Sequence, residues 1–164
     1  MHKATSKTII ELGGQVMERR LLEGLVENEG FLQEFSILNG LLLKGKDPAI
    51  YFMMEGKKCL IPNWETFTNL FVGMDHVVNL SDNHPNMWEK FIEKIPNGEV
   101  ISDGAILIKK KNQDAVYMLT NLQKHWITSP SVFNACSFNW DKIEKYPDII
   151  IDSIPSGFNI NYEP

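Results

Sequence analysis

The stretch Ala115–Phe133, AVYMLTNLQKHWITSPSVF, decides the reading of this chain, because a close variant of it stands upstream. Ala49–Phe67 reads AIYFMMEGKKCLIPNWETF. Tyr51 and Tyr117 lie 66 residues apart, and at that offset Ala, Tyr, Lys, Ile and Phe recur at matching places. Unrelated windows of this length share about one identity, since an average residue type makes up about a twentieth of a chain. Ile50/Val116, Met53/Leu119 and Asn63/Ser129 add conservative pairs. The pattern is an internal repeat, and it bounds the architecture before any single residue is weighed.

Working outward, ILNGLLLKG (Ile37–Gly45) matches ISDGAILIK (Ile101–Lys109) at an offset of 64, so two residues are expected to enter the second copy among Lys109–Gln113. Asn39-Gly40 and Asp103-Gly104 are turn dipeptides, and each is followed by a short apolar strand. The tyrosine strands come next. Their two apolar faces predict cover on both sides. Glu55–Lys58 suits a hairpin with Gly56 at positive φ, a task that falls to Asn121 in the second copy. A third strand follows. Asn63 and Ser129 then predict helix N-caps, with Pro130 at the first helical position. The short helices turn Phe67 and Leu70, or Phe133 and Cys136, inward. Asp75 and Asp141 align beyond them as turn or cap residues. Each copy closes on a matching phrase, Ile95–Gly98 and Ile154–Gly157, and the first copy carries its surplus near Ser81–Phe91 as a loop and short helix.

Residues 8–35 have no second copy. Ile9, Leu12, Val16, Leu21 and Leu25 follow a one-face helical period, interrupted at Gly13-Gly14. The chain therefore divides into an N-terminal helical segment (1–36), a first unit (37–100) and a second unit (101–164), in one compact α+β domain. A three-stranded unit does not bury both faces alone, so the two are expected to share a core. The helix also carries Ile10, Met17, Leu22 and Val26, more than one apolar stripe needs. Two readings follow with equal weight: a two-fold homodimer through this helix, or a deep groove in its own monomer.

The 164 residues carry a formal net charge of −5 at pH 7. That balance opposes broad binding to nucleic-acid phosphates, and Lys109–Lys111 reads as a solvated turn. Cys59 and Cys136 align with His125 and Leu70, so the repeat does not duplicate them; they read as buried free thiols. No apolar run reaches the roughly 18 residues of a membrane span. The first twenty residues contain no signal peptide, which predicts a cytoplasmic protein or one exported by another route.

Gly40, Lys44-Gly45, Ile50-Tyr51, Gly56-Lys57, Ile61-Pro62 and Phe67 form a pattern, partly repeated by Gly104, Val116-Tyr117, Ile127, Ser129-Pro130, Phe133 and Asn139-Trp140-Asp141. It resembles a repeat found in tandem in many bacterial proteins, often secreted or wall-associated. The resemblance spans roughly residues 37–157. It implies a non-catalytic accessory or surface-binding module.

No nucleophile elbow, P-loop or dinucleotide fingerprint occurs, and no cofactor is implied. Asp75, His76, Asp82 and His84 fall within ten residues, the basis of an alternative reading as a small metal-dependent or hydrolytic enzyme. Their spacing matches no strong metal motif, and a polar loop is the plainer reading. The aromatic residues are the better lead. Tyr51 and Tyr117 are expected in the core because the repeat keeps them. Trp64, Trp88, Trp126 and Trp140 are the candidate ligand-binding residues, for a protein or glycan partner. Trp64 is the most exposed by expectation, since the other copy has Pro130 at its position.

Overall fold

The computed structural model describes residues 9–12, 15–18, 35–82 and 85–162. Residues 42–79 and 106–146 repeat one path. In the first unit β3 (Leu42–Lys44), β4 (Ile50–Met54) and β5 (Lys57–Leu60) form an antiparallel meander. Helix α1 (Trp64–Leu70) and a 3-10 turn (Met74–His76) follow, and β6 (Val77–Asn79) returns parallel to β3. Helix α2 (Pro85–Lys94) then crosses the outer face. In the second unit the same path runs through β7 (Ile106–Lys110), β8 (Val116–Thr120), β9 (Gln123–Ile127), α3 (Pro130–Ala135), a 3-10 turn (Trp140–Lys142), β10 (Glu144–Tyr146) and α4 (Asp148–Ser153). The sheet orders are β5-β4-β3-β6 and β9-β8-β7-β10. This is the expected α+β body of two β-rich repeats. The first unit's surplus is α2, ten residues against six in α4.

Local chemistry explains the elements. Asn63 accepts from the Thr66 N–H at 2.8 Å, and Ser129 from the Val132 N–H at 3.1 Å, so both caps form as expected. The hairpins need positive φ at both central residues. The first supplies Glu55 (54°) and Gly56 (73°), the second Asn121 (53°) and Leu122 (63°). A left-handed leucine costs roughly 1–2 kcal/mol, and Leu122 is 86% exposed, so it recovers little by packing. Leu122→Gly is expected to stabilise the protein by about 1 kcal/mol, read as a higher urea midpoint.

Pairing corrects the alignment in one detail. Leu42 faces Phe52, and Leu107 faces Met118. One of the two extra residues therefore enters between Gly104 and Leu107, ahead of β7, and only one lies after it. The closing phrases extend the sheets. Lys58 bridges Asn97, and Lys124 bridges Ser156, both in parallel.

The inner faces meet in one core. Leu42, Phe52 and Cys59 from the first sheet, and Leu107 and Met118 from the second, share it with Phe67, Leu70, Val132 and Phe133 of α1 and α3. Each helix reaches the other unit's first turn. Thr66 Oγ1 accepts from the Gly104 N–H at 3.0 Å, while Cys136 lies so near Gly40 that a Cβ there would sit 3.2 Å from its sulfur. Between them the chain pairs with itself: Val72 N–H donates to the Ser137 carbonyl (3.0 Å) and Asn139 N–H to the Leu70 carbonyl (2.9 Å), around an antiparallel Phe71–Phe138 bridge. Shifting each partner by 67 residues, one more than the tyrosine offset, exchanges the two hydrogen bonds (72 and 137 become 139 and 70), the signature of an isologous contact.

The outer faces use a second repeated device. Lys58 Nζ donates to the Ile95 carbonyl at 2.6 Å and lies 5.7 Å from the Tyr51 ring centre; Lys124 Nζ donates to the Ile151 carbonyl at 2.8 Å, 5.6 Å from the Tyr117 ring. A cation at the carbonyl end of each crossing helix is favourable. Tyr51 and Tyr117 thus occupy matching environments, half-buried on the outer face.

One expectation is corrected. Within 8–35, Ile9–Leu12 (β1) pairs antiparallel with Gln15–Glu18 (β2), so this part is a hairpin rather than a helix. The sequence places Gly13-Gly14 between strands rich in Ile and Val, a combination that favours two-residue hairpin connections. Residues 19–34, and with them the homodimer reading, lie outside the described residues.

Candidate functional site

The four tryptophans part company. Trp88 is a correction: it is 4% exposed and meets Phe91 edge-on at 5.6 Å. Helix α2 turns Trp88, Phe91 and Ile92, with Ile95 just beyond its end, onto the outer face of the first sheet, so this ring serves the core. Trp64, Trp126 and Trp140 are 57, 40 and 47% exposed. Trp64 stacks on Phe67 (4.9 Å, 11°), and Trp140 lies over Phe133 (3.9 Å, 31°). Phe67 and Phe133 are equivalent, so the two units cover the same helix ring with tryptophans from different sequence positions. Trp126 sits beside Tyr117 in cross-strand register. Among the described residues no ring contact joins the three.

Beside Trp64 runs a groove of about 350 Å³, lined by Pro48, Ala49, Ile50, Leu60, Ile61 and Pro62. Its polar neighbour Asn63 is committed, Oδ1 to the Thr66 N–H and Nδ2 to Asp103 at 2.9 Å. The matching positions Trp126 and Thr128 of the second unit differ: the Thr128 N–H donates to the Ile160 carbonyl (3.1 Å), a bond Pro62 has no hydrogen to make.

A second concavity, about 260 Å³, opens between the two hairpins. Met54, Cys59 and Glu99 line it from one side, Thr120, His125 and Phe158 from the other. Cys59 and His125 hold the same repeat position, both buried. His125 Nδ1 lies 2.9 Å from the Phe158 carbonyl. Sequence comparison of the copies missed this cleft because its key pair is a mismatch.

Burial pushes the Cys59 thiol up to about 11 and the Cys136 thiol up to about 12, from 9.0. Both stay protonated at neutral pH, so neither thiol is an activated nucleophile. The unfolded chain ionises its thiols above about pH 9. Folding opposes this, so stability is expected to fall as pH rises through 9 to 11, by about 1 kcal/mol per pH unit for each thiol. Urea midpoints at pH 8 and 10 check it; Cys136→Ala should flatten the decline.

Of the Asp75–His84 group, Asp75 and His76 lie in the 3-10 turn, where His76 Nδ1 hydrogen-bonds Ser137 Oγ at 2.9 Å. Asp82 is exposed, and His84 lies outside the described residues. Among the described residues no three His, Cys, Asp or Glu side chains form a group that could hold a metal ion, and no helix is long and apolar enough to cross a membrane. No protein family matches the chain, and no curated protein or solved structure is significantly similar to it.

Proposed function

We propose that this chain is a non-catalytic protein-binding module whose contact surface is the Trp64 groove of the first unit. The observation that carries the reading is Trp64 itself: an exposed ring, held flat on buried Phe67, at the lip of an apolar groove. A rigid aromatic anchor beside a pocket is the usual centre of binding energy at protein interfaces. A glycan would ask for free donors and acceptors around the ring. The groove lining is apolar and Asn63 is already engaged, which favours apolar side chains of a protein over sugar hydroxyls. The resemblance to tandem bacterial binding repeats points the same way.

Selection from a displayed peptide library, followed by calorimetry, tests it. Selected peptides are expected to lose about 30-fold in affinity against Trp64→Ala, and to bind Trp126→Ala unchanged. Thermal unfolding checks that the variant stays folded, since loss of the Trp64–Phe67 stack is worth only about 1 kcal/mol. Equal affinity for the parent and Trp64→Ala would overturn the proposal.

A further inference from the structure

We infer that the cleft between the two hairpins is a separate small-molecule site, taking a compact ligand with an ammonium or N–H donor on an apolar body, and that His125 Nε2 is its acceptor. The inference does not depend on the Trp64 groove. It starts from one unsatisfied atom. His125 is 3% exposed. Its Nδ1 faces the Phe158 carbonyl at 2.9 Å; a carbonyl only accepts, so Nδ1 carries the hydrogen. In the neutral ring Nε2 is then a bare acceptor, and among the described residues no protein donor meets it. Buried polar atoms are normally partnered, and a buried histidine that lines a cavity with one ring nitrogen unpartnered marks a place for an incoming donor.

The surroundings define what fits. Thr120 Oγ1 is spent on the Ser102 N–H (3.0 Å) and hydroxyl (3.1 Å), so it does not compete for the ligand. Met54, Cys59 and Phe158 give an apolar wall. Glu55 and Glu99 stand at the cleft against Lys57 alone, a balance that repels acids and admits cations or neutral donors. Glu55 is itself fixed, its carboxylate accepting from Tyr162 Oη at 2.7 Å. The volume of about 260 Å³ suits a single ring with a short substituent. Among the described residues no three of the Cys, His and Glu side chains at the cleft come together as a metal-holding group, so an organic donor fits better than a metal ion.

The test uses two probes of one shape and opposite charge, benzylamine and benzoate, on the full chain with nitrogen-15 label. Benzylamine up to about 10 mM is expected to give a saturable shift of the His125 Nε2 resonance and of the Glu99, Asn121 and Phe158 amides. Benzoate is expected to leave them in place. Glu99→Lys, a surface change that keeps the fold, should weaken benzylamine about tenfold, and His125→Leu should abolish the saturable shifts. No saturable shift with benzylamine, the result for a cleft holding water only, would overturn the inference. So would equal shifts with benzoate, or full benzylamine affinity in both variants.

Discussion

Phe138→Ala is expected to destabilise the protein by about 3–5 kcal/mol, the usual cost of emptying a fully buried phenylalanine site. Phe138 is 1% exposed. It stacks on Phe71 at 5.3 Å, meets Phe52 edge-on at 5.6 Å and Phe133 at 5.5 Å. Those three rings come from both units, so the cavity would open at the seam and neither half has spare side chains to collapse into it. The loss should therefore reach both sheets at once. Urea unfolding followed by far-UV dichroism and by tryptophan fluorescence should give one coincident transition at a lower midpoint. A cost below about 1 kcal/mol, or two separated transitions, would show that the units are independently stable and that the shared core is not what holds them.

The second large effect concerns the glycines of the closing phrases. A Cβ at Gly157 would press on His125 Cε1 and stand 2.8 Å from both His125 Nδ1 and Gln123 Oε1. A Cβ at Gly98 would stand 2.7 Å from Cys59 Sγ and 3.0 Å from Lys57 Cβ. The same repeat position is thus crowded in both units, once by an imidazole and once by a thiol. Gly157→Ala is expected to cost about 3 kcal/mol, the upper end for overpacking, because His125 is buried and tied to the Phe158 carbonyl. Gly98→Ala should cost about 2 kcal/mol. Cys59→Ala removes the nearest atom, so the double variant should recover about 1 kcal/mol relative to additivity. Urea denaturation of the four proteins in the cycle measures it. Strict additivity would mean that the Gly98 strand, and not the Cys59 sulfur, sets the spacing.

Much of this fold is legible in the chain. Tyr51 and Tyr117, the caps Asn63 and Ser129, and the hairpin at Gly56 all announce themselves through local chemistry repeated at one offset. The fourth strands do not. Val77–Asn79 is apolar and Glu144–Tyr146 charged, and each is three residues long. Their only reason to be strands is a parallel partner more than thirty residues earlier, which no local signal reports. The N-terminal hairpin was hidden for another reason: Ile9, Leu12 and Val16 fit a helical period as well as a strand, and only the glycine pair between them discriminates. Trp88 reads as a contact residue because a tryptophan suits a binding surface as well as a core, and the 88–91–92–95 spacing that buries it has meaning only once the helix is in place. The cleft is not legible in the repeat, because its chemistry lies where the two copies differ, at Cys59 and His125.

The pairing of residues 70–72 with 137–139 has a consequence for growth. Units stacked head to tail leave an open face at each end, and such arrays lengthen by simple addition. Here each unit offers one face and the other consumes it, as in a closed point-group dimer. A third copy fused to this body would find the face occupied and would have to displace a sister to be buried. Two is therefore the natural number for this assembly: the duplication terminates itself.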